Sequence, residues 1–419
     1  MKYKCRVPKY ALNKNNIFMK IKFMQTGKLI FAILFLLTAN DYVNAQTIWP
    51  IKEWTVATPQ SQLMNADSLR AFDNDIANGK YGNVDGMLVT RNGKLIYRKD
   101  YKHDYDKIFG DSVNKKSAIN AYDAGGQYNY FNPWWHPFYR RDNLHSLQSV
   151  SKTVTSVLIG IAVSRNEFPD LSTPVLNFFD TSQVKNIDDR KRKMTIEHLL
   201  TMTSGIDWNE ETDYNDPRND CNIMEASFDW VQYVIDRPMA IDPGKTFNYN
   251  SGATELLSYI FRKATGKDME EYAAANLFAP LGITNYFWKR IPMGLPDTEG
   301  GLYLNIADLA KISYLFLREG NWNGTQIVSK DWVKASVHPY VKVGGKTQYG
   351  YKWWLNYYST DSTKYAWHGS GFGGQFPIII PEYNIVAVFT GWNIIDGKPS
   401  LRPGEAIRRL VNAVEDKSK

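Results

Sequence analysis

"HSLQSVSKTVTSVLIGIAV", residues 145–163, places a serine at 149 and a lysine at 152 just ahead of an apolar run. In that run Val154, Val157, Leu158 and Ile161 recur at helical spacing. Residues three apart on a helix share a face, with Cβ atoms about 5–6 Å apart, so the amine of Lys152 can reach the hydroxyl of Ser149. A serine at its ordinary pKa is a poor nucleophile and needs such a helper. The free N–H groups at a helix N-terminus also favour negative charge on a developing oxyanion. Spacing alone is a weak signal, because a chain of this length holds about two such pairs by chance. A second pair, Ser112 and Lys115 in "DSVNKKSAIN", has no apolar helix behind it and hence no rigid seat.

Strand patterns lie on either side of this helix, far from it in sequence. "DGMLVTRNGKLIYRKDY" (85–101) alternates apolar and polar residues about Asn92-Gly93, a hairpin signal. Strands return only at "YGYKWWLNYY" (349–358), "KYAWHGS" (364–370), "QFPIII" (375–380) and "NIVAVFTG" (384–391). The run Ile385–Phe389 implies burial on both sheet faces, and Pro377 requires a bulge or an open edge because it cannot donate to a ladder. Between them the period is helical. Asn305 is an N-cap candidate before Leu309, Ile312 and Phe316, Gly320 a stop, and segments 225–236, 252–265 and 268–278 read as helices. The last helix spaces Ile407, Leu410, Val411 and Val414 by three and four. The expectation is an α+β fold: an antiparallel sheet of N- and C-terminal strands flanked by helices, with a helical lobe at about 169–294 and an α/β lobe at about 46–168 and 295–419. Residues 102–145, with "AYDAGGQYNYFNPWWHPFYRRDN", have no period and read as a long ordered loop, either a substrate rim or a packed surface segment.

Residues 1–45 differ from the rest. Eight basic residues precede the run "LIFAILFLLTA", and "VNA" before Gln46 has small residues where a signal peptidase reads. This predicts a signal peptide, a mature start near Gln46, and an exported protein of the bacterial periplasm or exterior; Met1, Met19 and Met24 are all possible starts. With its single acid, Asp41, the leader accounts for the entire net charge of +7 among the 419 residues. The remainder is near neutral, which gives no reason to expect a nucleic-acid partner. Cys5 lies in the leader and Cys221 stands alone, so no intramolecular disulfide is expected in the mature chain. Cys221 reads as a small buried residue.

Further segments join the first in order: "MTIEHLLTMTSGIDW" (194–208), "PGKTFNYNSGATELLSYI" (243–260), "GGLYLNIADLAKISYLFLREGNWNGTQIVS" (300–329) and "HGSGFGGQFPIIIPEYNIVAVF" (368–389). Together they resemble the serine β-lactamase and penicillin-binding-protein superfamily, and within it the class C-related esterases and the 6-aminohexanoate oligomer hydrolases. The resemblance implies a β-lactamase/transpeptidase-like fold, acylation of Ser149, proton transfer assisted by Lys152, and Tyr249 as general base. The family's Tyr-x-Asn reads Tyr249-Asn250-Ser251 here, with a shorter hydroxyl at the third position. Its Lys-Thr-Gly matches Gly369-Ser370-Gly371 after His368, so the lysine that helps hold a β-lactam carboxylate is missing. Ser251, His368, Gly369, Ser370 and Gly371 are then the expected substrate-binding residues, and the backbone N–H groups of Ser149 and Phe372 the expected oxyanion hole.

Other chemistry finds less support. Ser370 lacks the flanking glycines of a nucleophile elbow. The six histidines form no common zinc pattern, and there is no phosphate-binding glycine loop, so neither metal nor organic cofactor is expected. Glu210 and Glu211 read as solvated loop charge. The expectation is an exported serine hydrolase acting through an acyl-enzyme on a carboxylic ester or small amide. A β-lactamase or D-alanyl carboxypeptidase acting on cell-wall peptides, and a non-catalytic binding protein of the same fold, are the alternatives. Oligomeric state is left open.

Overall fold

The computed structural model describes residues 49–114, 126–214, 216–359, 364–395 and 397–415. The basic leader, its cleavage site and Lys115 of the second serine–lysine pair lie outside them. Among the described residues, no helix is long and apolar enough to cross a membrane.

The fold is β-lactamase/transpeptidase-like, a mixed α/β arrangement around one antiparallel sheet. Strands β1 (Val84–Arg91) and β2 (Lys94–Asp100) form the hairpin at Asn92-Gly93, where both residues have positive φ (53° and 76°) as a tight turn of this hand demands. The other six strands are β3 (Val341–Gly344), β4 (Thr347–Tyr349), β5 (Trp354–Tyr357), β6 (Tyr365–His368), β7 (Phe376–Ile380) and β8 (Ile385–Gly391). The sheet order is β2-β1-β8-β7-β6-β5-β4-β3. Thus the N-terminal hairpin joins the C-terminal strands through β1 and β8, with Val89 opposite Ala387.

Strand β8 is buried along its whole length, and its period of two explains why. Ile385, Ala387 and Phe389 point into one apolar layer with helices α1 (Ala66–Ala77) and α5 (Pro403–Asn412), which supply Leu69, Phe72, Ile407 and Leu410. Val386 and Val388 point into the opposite layer. That layer contains α2 (Val150–Ser164), α3 (Gly252–Thr265) and α4 (Ile306–Leu317). Pro377 sits where β6 has left the ladder. Its carbonyl accepts from Gly369 N at 3.1 Å, and since N and C=O of a strand residue point the same way, its nitrogen faces that end of the pairing.

Three sequence expectations need correction. The single strand at 349–358 is two strands, because Gly350 N closes onto Trp353 O (2.9 Å) and Lys352 takes φ 62°, turning the chain back. The helix at 225–236 is two, Asp220–Ala226 and Trp230–Asp236. Asp229 starts the second by accepting from Gln232 N, a side-chain bond that competes with helix continuation. Segment 268–278 is helical but widens to a π turn over Ala274–Phe278. Asn305 caps α4 as expected, accepting from Asp308 N.

Helix α2 is buried from Val150 to Ala162. A Cβ at Gly160 would lie 2.1 Å from the Trp332 ring, so this glycine sets how closely the helix seats. Gly160→Ala gains about 1 kcal/mol in helix propensity but overpacks the contact. The net expectation is a loss of about 1–3 kcal/mol, seen as a lowered urea midpoint; an unchanged or raised midpoint contradicts this seating.

Candidate active site

Ser149 is presented by a strained turn. The short strand His145–Ser146 pairs with Leu304 and Tyr303, and Leu147 N still bonds to Leu302 O at 2.9 Å. Gln148 then adopts φ 49°, a conformation that favours glycine, and is held by its own amide donating to Ser146 Oγ at 2.8 Å. The chain thereby turns directly into α2, with Ser149 at its N-terminal boundary.

Lys152, one turn on, is 1% exposed. Its ammonium donates to Ser149 Oγ (2.9 Å), to the Glu299 carbonyl (2.7 Å) and to Glu299 Oε2 (3.0 Å). Burial pushes its pKa down, but the negative charge of Tyr249, Glu299 and Glu210 outweighs that and leaves it well above the usual lysine value. Glu299 is its complement: burial raises the carboxyl, yet the charges of Lys152 and Lys289 hold it below the ordinary glutamate value.

Tyr249 approaches from the other side. Its ring lies 5.3 Å from Lys152 Nζ, it lines the same cavity as Ser149, and Trp354 stacks on it at 5.8 Å. Burial raises the phenol above its ordinary value, Lys152 opposes that, and Glu210 reinforces it. Beneath the tyrosine, Glu210 accepts from Ser251 Oγ (2.6 Å), Ser251 N (2.8 Å), Trp208 Nε1 (2.7 Å) and Tyr214 O–H (2.7 Å). The reading of Glu210 as solvated charge is therefore overturned: it is buried, and it organises this wall. Glu211 is exposed as expected. Ser251 is also buried, and its hydroxyl is spent on Glu210 instead of facing the cavity.

Opposite lies the segment after β6. A Cβ at Gly371 would fall 2.4 Å from Leu147 O, so only glycine lets this segment rest on the turn that carries Ser149. Gly369 packs against Val150 and Thr153 at α2, away from the cavity, whereas Ser370, Gly371 and Phe372 line it. Among the described residues no acceptor engages the N–H of Ser149 or of Phe372, leaving both available to an oxyanion. His368 is buried, with Nδ1 on Gly369 O at 3.0 Å and Nε2 unpartnered, and it does not reach the cavity. It does not replace the missing lysine. The cavity, about 470 Å³, is walled by Ser149, Tyr249, Glu210, Tyr214 and Trp354, with Lys398 and Arg402 on its far side.

The sequence reading missed Glu299 and Trp354. Glu299 is the acid just before Gly300-Gly301, a position whose importance shows only when the turn is folded against Lys152. The aromatic loop, as far as it is described, packs inward. Tyr130 O–H donates to Glu225 (2.6 Å), and the Tyr128 ring lies 4.2 Å from Lys289 Nζ. No described residue of this loop lines the cavity, which supports a packed segment over a rim. Cys221 is buried, as expected. Its sulfur and the carboxylates of Glu225 and Glu299 lie within 4.8 Å of one another, the kind of grouping that can hold a metal. Here Lys152 and Tyr130 already donate to those carboxylates.

Comparison with known proteins follows the same lines. The Beta-lactamase family model matches residues 80–391. The chain is 28% identical over 196 residues to monacolin J acid methylbutanoyltransferase of Aspergillus terreus, covering 41% of this chain and 47% of that one. It is 25% identical over 205 residues to the 6-aminohexanoate-dimer hydrolase of Paenarthrobacter ureafaciens, covering 46% and 50%. The chain thus spans about half the length of the curated relatives it matches. The octameric penicillin-binding protein homologue of Pyrococcus abyssi shares the fold, with a TM-score of 0.57 and 19% identity over 84% of this chain and 78% of that one.

Burial lowers the His368 imidazole from its ordinary value of 6.5 to about 4. The unfolded chain therefore takes up this proton at higher pH than the folded one, and stability is lost as pH falls from about 6.5 to 4. Relative to His368→Phe, the wild type should lose about 3 kcal/mol across that window and nothing above pH 7. Denaturant titrations at stepped pH check this, and a constant difference contradicts it.

Proposed function

We propose that this chain, which belongs to the Beta-lactamase family, is an exported serine hydrolase or acyltransferase that acts on a carboxylic ester or small amide through an acyl-enzyme on Ser149. The observation that carries the reading is the 2.9 Å contact between Lys152 Nζ and Ser149 Oγ at a helix N-terminus that opens on a cavity. The named activities of the matched transferase and hydrolase, both acyl transfers by class, agree with it.

In the acylation step Oγ bonds to the substrate carbonyl carbon while the Ser149 proton passes to the Tyr249 oxygen. The N–H groups of Ser149 and Phe372 hold the oxyanion. On collapse, the proton moves from Tyr249 to the departing oxygen or nitrogen. Water, or an acceptor alcohol in transfer, then gives its proton to Tyr249 as it attacks the acyl carbon, and on collapse Tyr249 passes that proton to the departing Ser149 Oγ. Ester and small-amide substrates are favoured because the position of the carboxylate-holding lysine is taken by His368-Gly369-Ser370-Gly371. A second reading, a β-lactam or a peptide carboxylate, is favoured by Lys398 and Arg402 on the cavity wall. Labelling by a fluorescent penicillin separates the two.

Residues 46–419 should hydrolyse a short-chain p-nitrophenyl ester. Ser149→Ala should lose at least about 10³-fold in kcat, and Tyr249→Phe about 10²–10⁴-fold, as for loss of a general base. Equal turnover by wild type and Ser149→Ala ends the proposal. Because the Tyr249 phenol is raised, its phenolate is the minor form at neutral pH. The wild-type kcat/KM should therefore climb with pH, about tenfold per unit, through the neutral range; a profile falling above pH 7 contradicts Tyr249 as the base.

A further inference from the structure

Lys152 is gripped by both the carbonyl and the carboxylate of one residue, Glu299. The turn carrying that residue is braced from α3: Glu255 Oε1 accepts from Thr298 N, Glu299 N (both 2.8 Å) and Thr298 Oγ1 (2.9 Å). Gly300 N closes the turn on Asp297 Oδ1 at 2.9 Å. The other nearby cation, Lys289, is fully buried and paired with Asp297 at 3.3 Å beneath the Tyr128 ring. Lys289 still acts on Glu299 through its charge, but the cation that hydrogen-bonds the Glu299 carboxylate is Lys152. A further carboxyl neighbour, Glu225, has an oxygen within 4.8 Å of one of Glu299 and accepts from Tyr130 O–H at 2.6 Å.

We propose that Glu299 is a positioning residue of the serine site: its carbonyl and carboxylate together fix Lys152 as an ammonium against Ser149, so that the serine proton goes to Tyr249 and not to the lysine. This deepens the functional reading above and rests on it. The charge distribution agrees with that assignment. Burial, then the charge on Glu299, drive the Glu225 carboxyl well above the ordinary value, while Glu299 lies below it. The titratable groups facing Lys152 include Tyr249, Glu299, Glu210, Tyr349, Lys352 and Cys221, the last a neutral thiol whose pKa burial raises. Those facing Glu299 include Lys289, Asp297, Glu255, Glu225 and Glu210, and beyond them Cys221 and the phenols of Tyr128, Tyr130 and Tyr249. Lys352, buried on Met202 Sδ (3.3 Å), is driven well below its ordinary value by burial and by repulsion from Lys152, so it brings no competing charge.

Tyr249 and Lys152 are close enough to titrate as a coupled pair. Removing one negative charge beside them lowers the pH at which each proton leaves. The rate at which a fluorophosphonate labels Ser149, measured against pH, reads this without a known substrate. In Glu299→Gln the rise of the labelling rate with pH should begin about one unit lower than in wild type, and the alkaline fall should move down with it. Glu299→Asp keeps the charge, so it should keep the limbs in place even where its rate is reduced. Burial and the Glu299 charge hold the Glu225 carboxyl well above its ordinary value, so Glu225→Gln exchanges one neutral group for another and should leave the profile where it was and hold the rate within about threefold. A simple loss of structure lowers the whole curve without moving it. Unmoved limbs in Glu299→Gln overturn the proposal, as does a shift in Glu225→Gln equal to that in Glu299→Gln, which would make Glu225 the charged member. Wild type that is never labelled fails the functional reading itself, and this inference with it. Wild type that is labelled normally while the variants break the pattern fails the inference alone.

Discussion

A lysine buried to 1% exposure, with its charge retained, is the constraint around which this molecule is arranged. Taking an ammonium out of water costs several kcal/mol unless opposite charge and hydrogen-bond acceptors replace the solvent. Lys152 finds both in three contacts drawn from two parts of the chain: Ser149 one turn away, and the carbonyl and carboxylate of Glu299 some 147 residues on. The carboxylate is tolerated in turn because Lys152 lies against it at 3.0 Å. Remove the lysine, and a buried carboxylate beside a strained serine turn is left uncompensated.

Helix α2 holds Lys152 rigid by being apolar along nearly its full length, and it is sandwiched by α3 on one side and Trp332 at Gly160 on another. The sheet contributes the other wall. Because β6 ends at His368 and glycines follow, the chain passes within contact distance of Leu147 and Val150 and brings Phe372 to the wall of the same cavity as Ser149. The hydroxyl, amine, phenol and two amides thus converge from three places: three from the start of α2, the phenol from the segment before α3, and one amide from the segment after β6.

Much of this was legible in the sequence, for identifiable reasons. Strand and helix periodicity gave β1, β2, β7, β8 and α2–α5, because each buries one face or both and its spacing records that. Ser149, Lys152, Tyr249 and Phe372 were named from motifs, and the structure brings them together around one cavity. What could not be read was long-range polar chemistry. Nothing local tells Glu210 from Glu211, yet one is wrapped by Trp208, Tyr214 and Ser251 while its neighbour is in solvent. Glu299 carried no periodic signal, since its meaning depends on the Asp297–Gly301 turn meeting α2. Ser251 and His368 were assigned to substrate on motif position, but their burial gives them to the scaffold. The break at 350–353 escaped notice because Lys352 adopts a left-handed conformation that no residue there advertises.

The most direct test of the account is a crystal structure of the protein after reaction with a fluorophosphonate. The account requires phosphorus bonded to Ser149 Oγ, one phosphoryl oxygen within about 2.7–3.1 Å of both the Ser149 and Phe372 nitrogens, and Lys152 still seated on Glu299. Phosphorus on another residue, or an adduct whose oxygen turns away from those amides while Lys152 leaves Glu299, would contradict it.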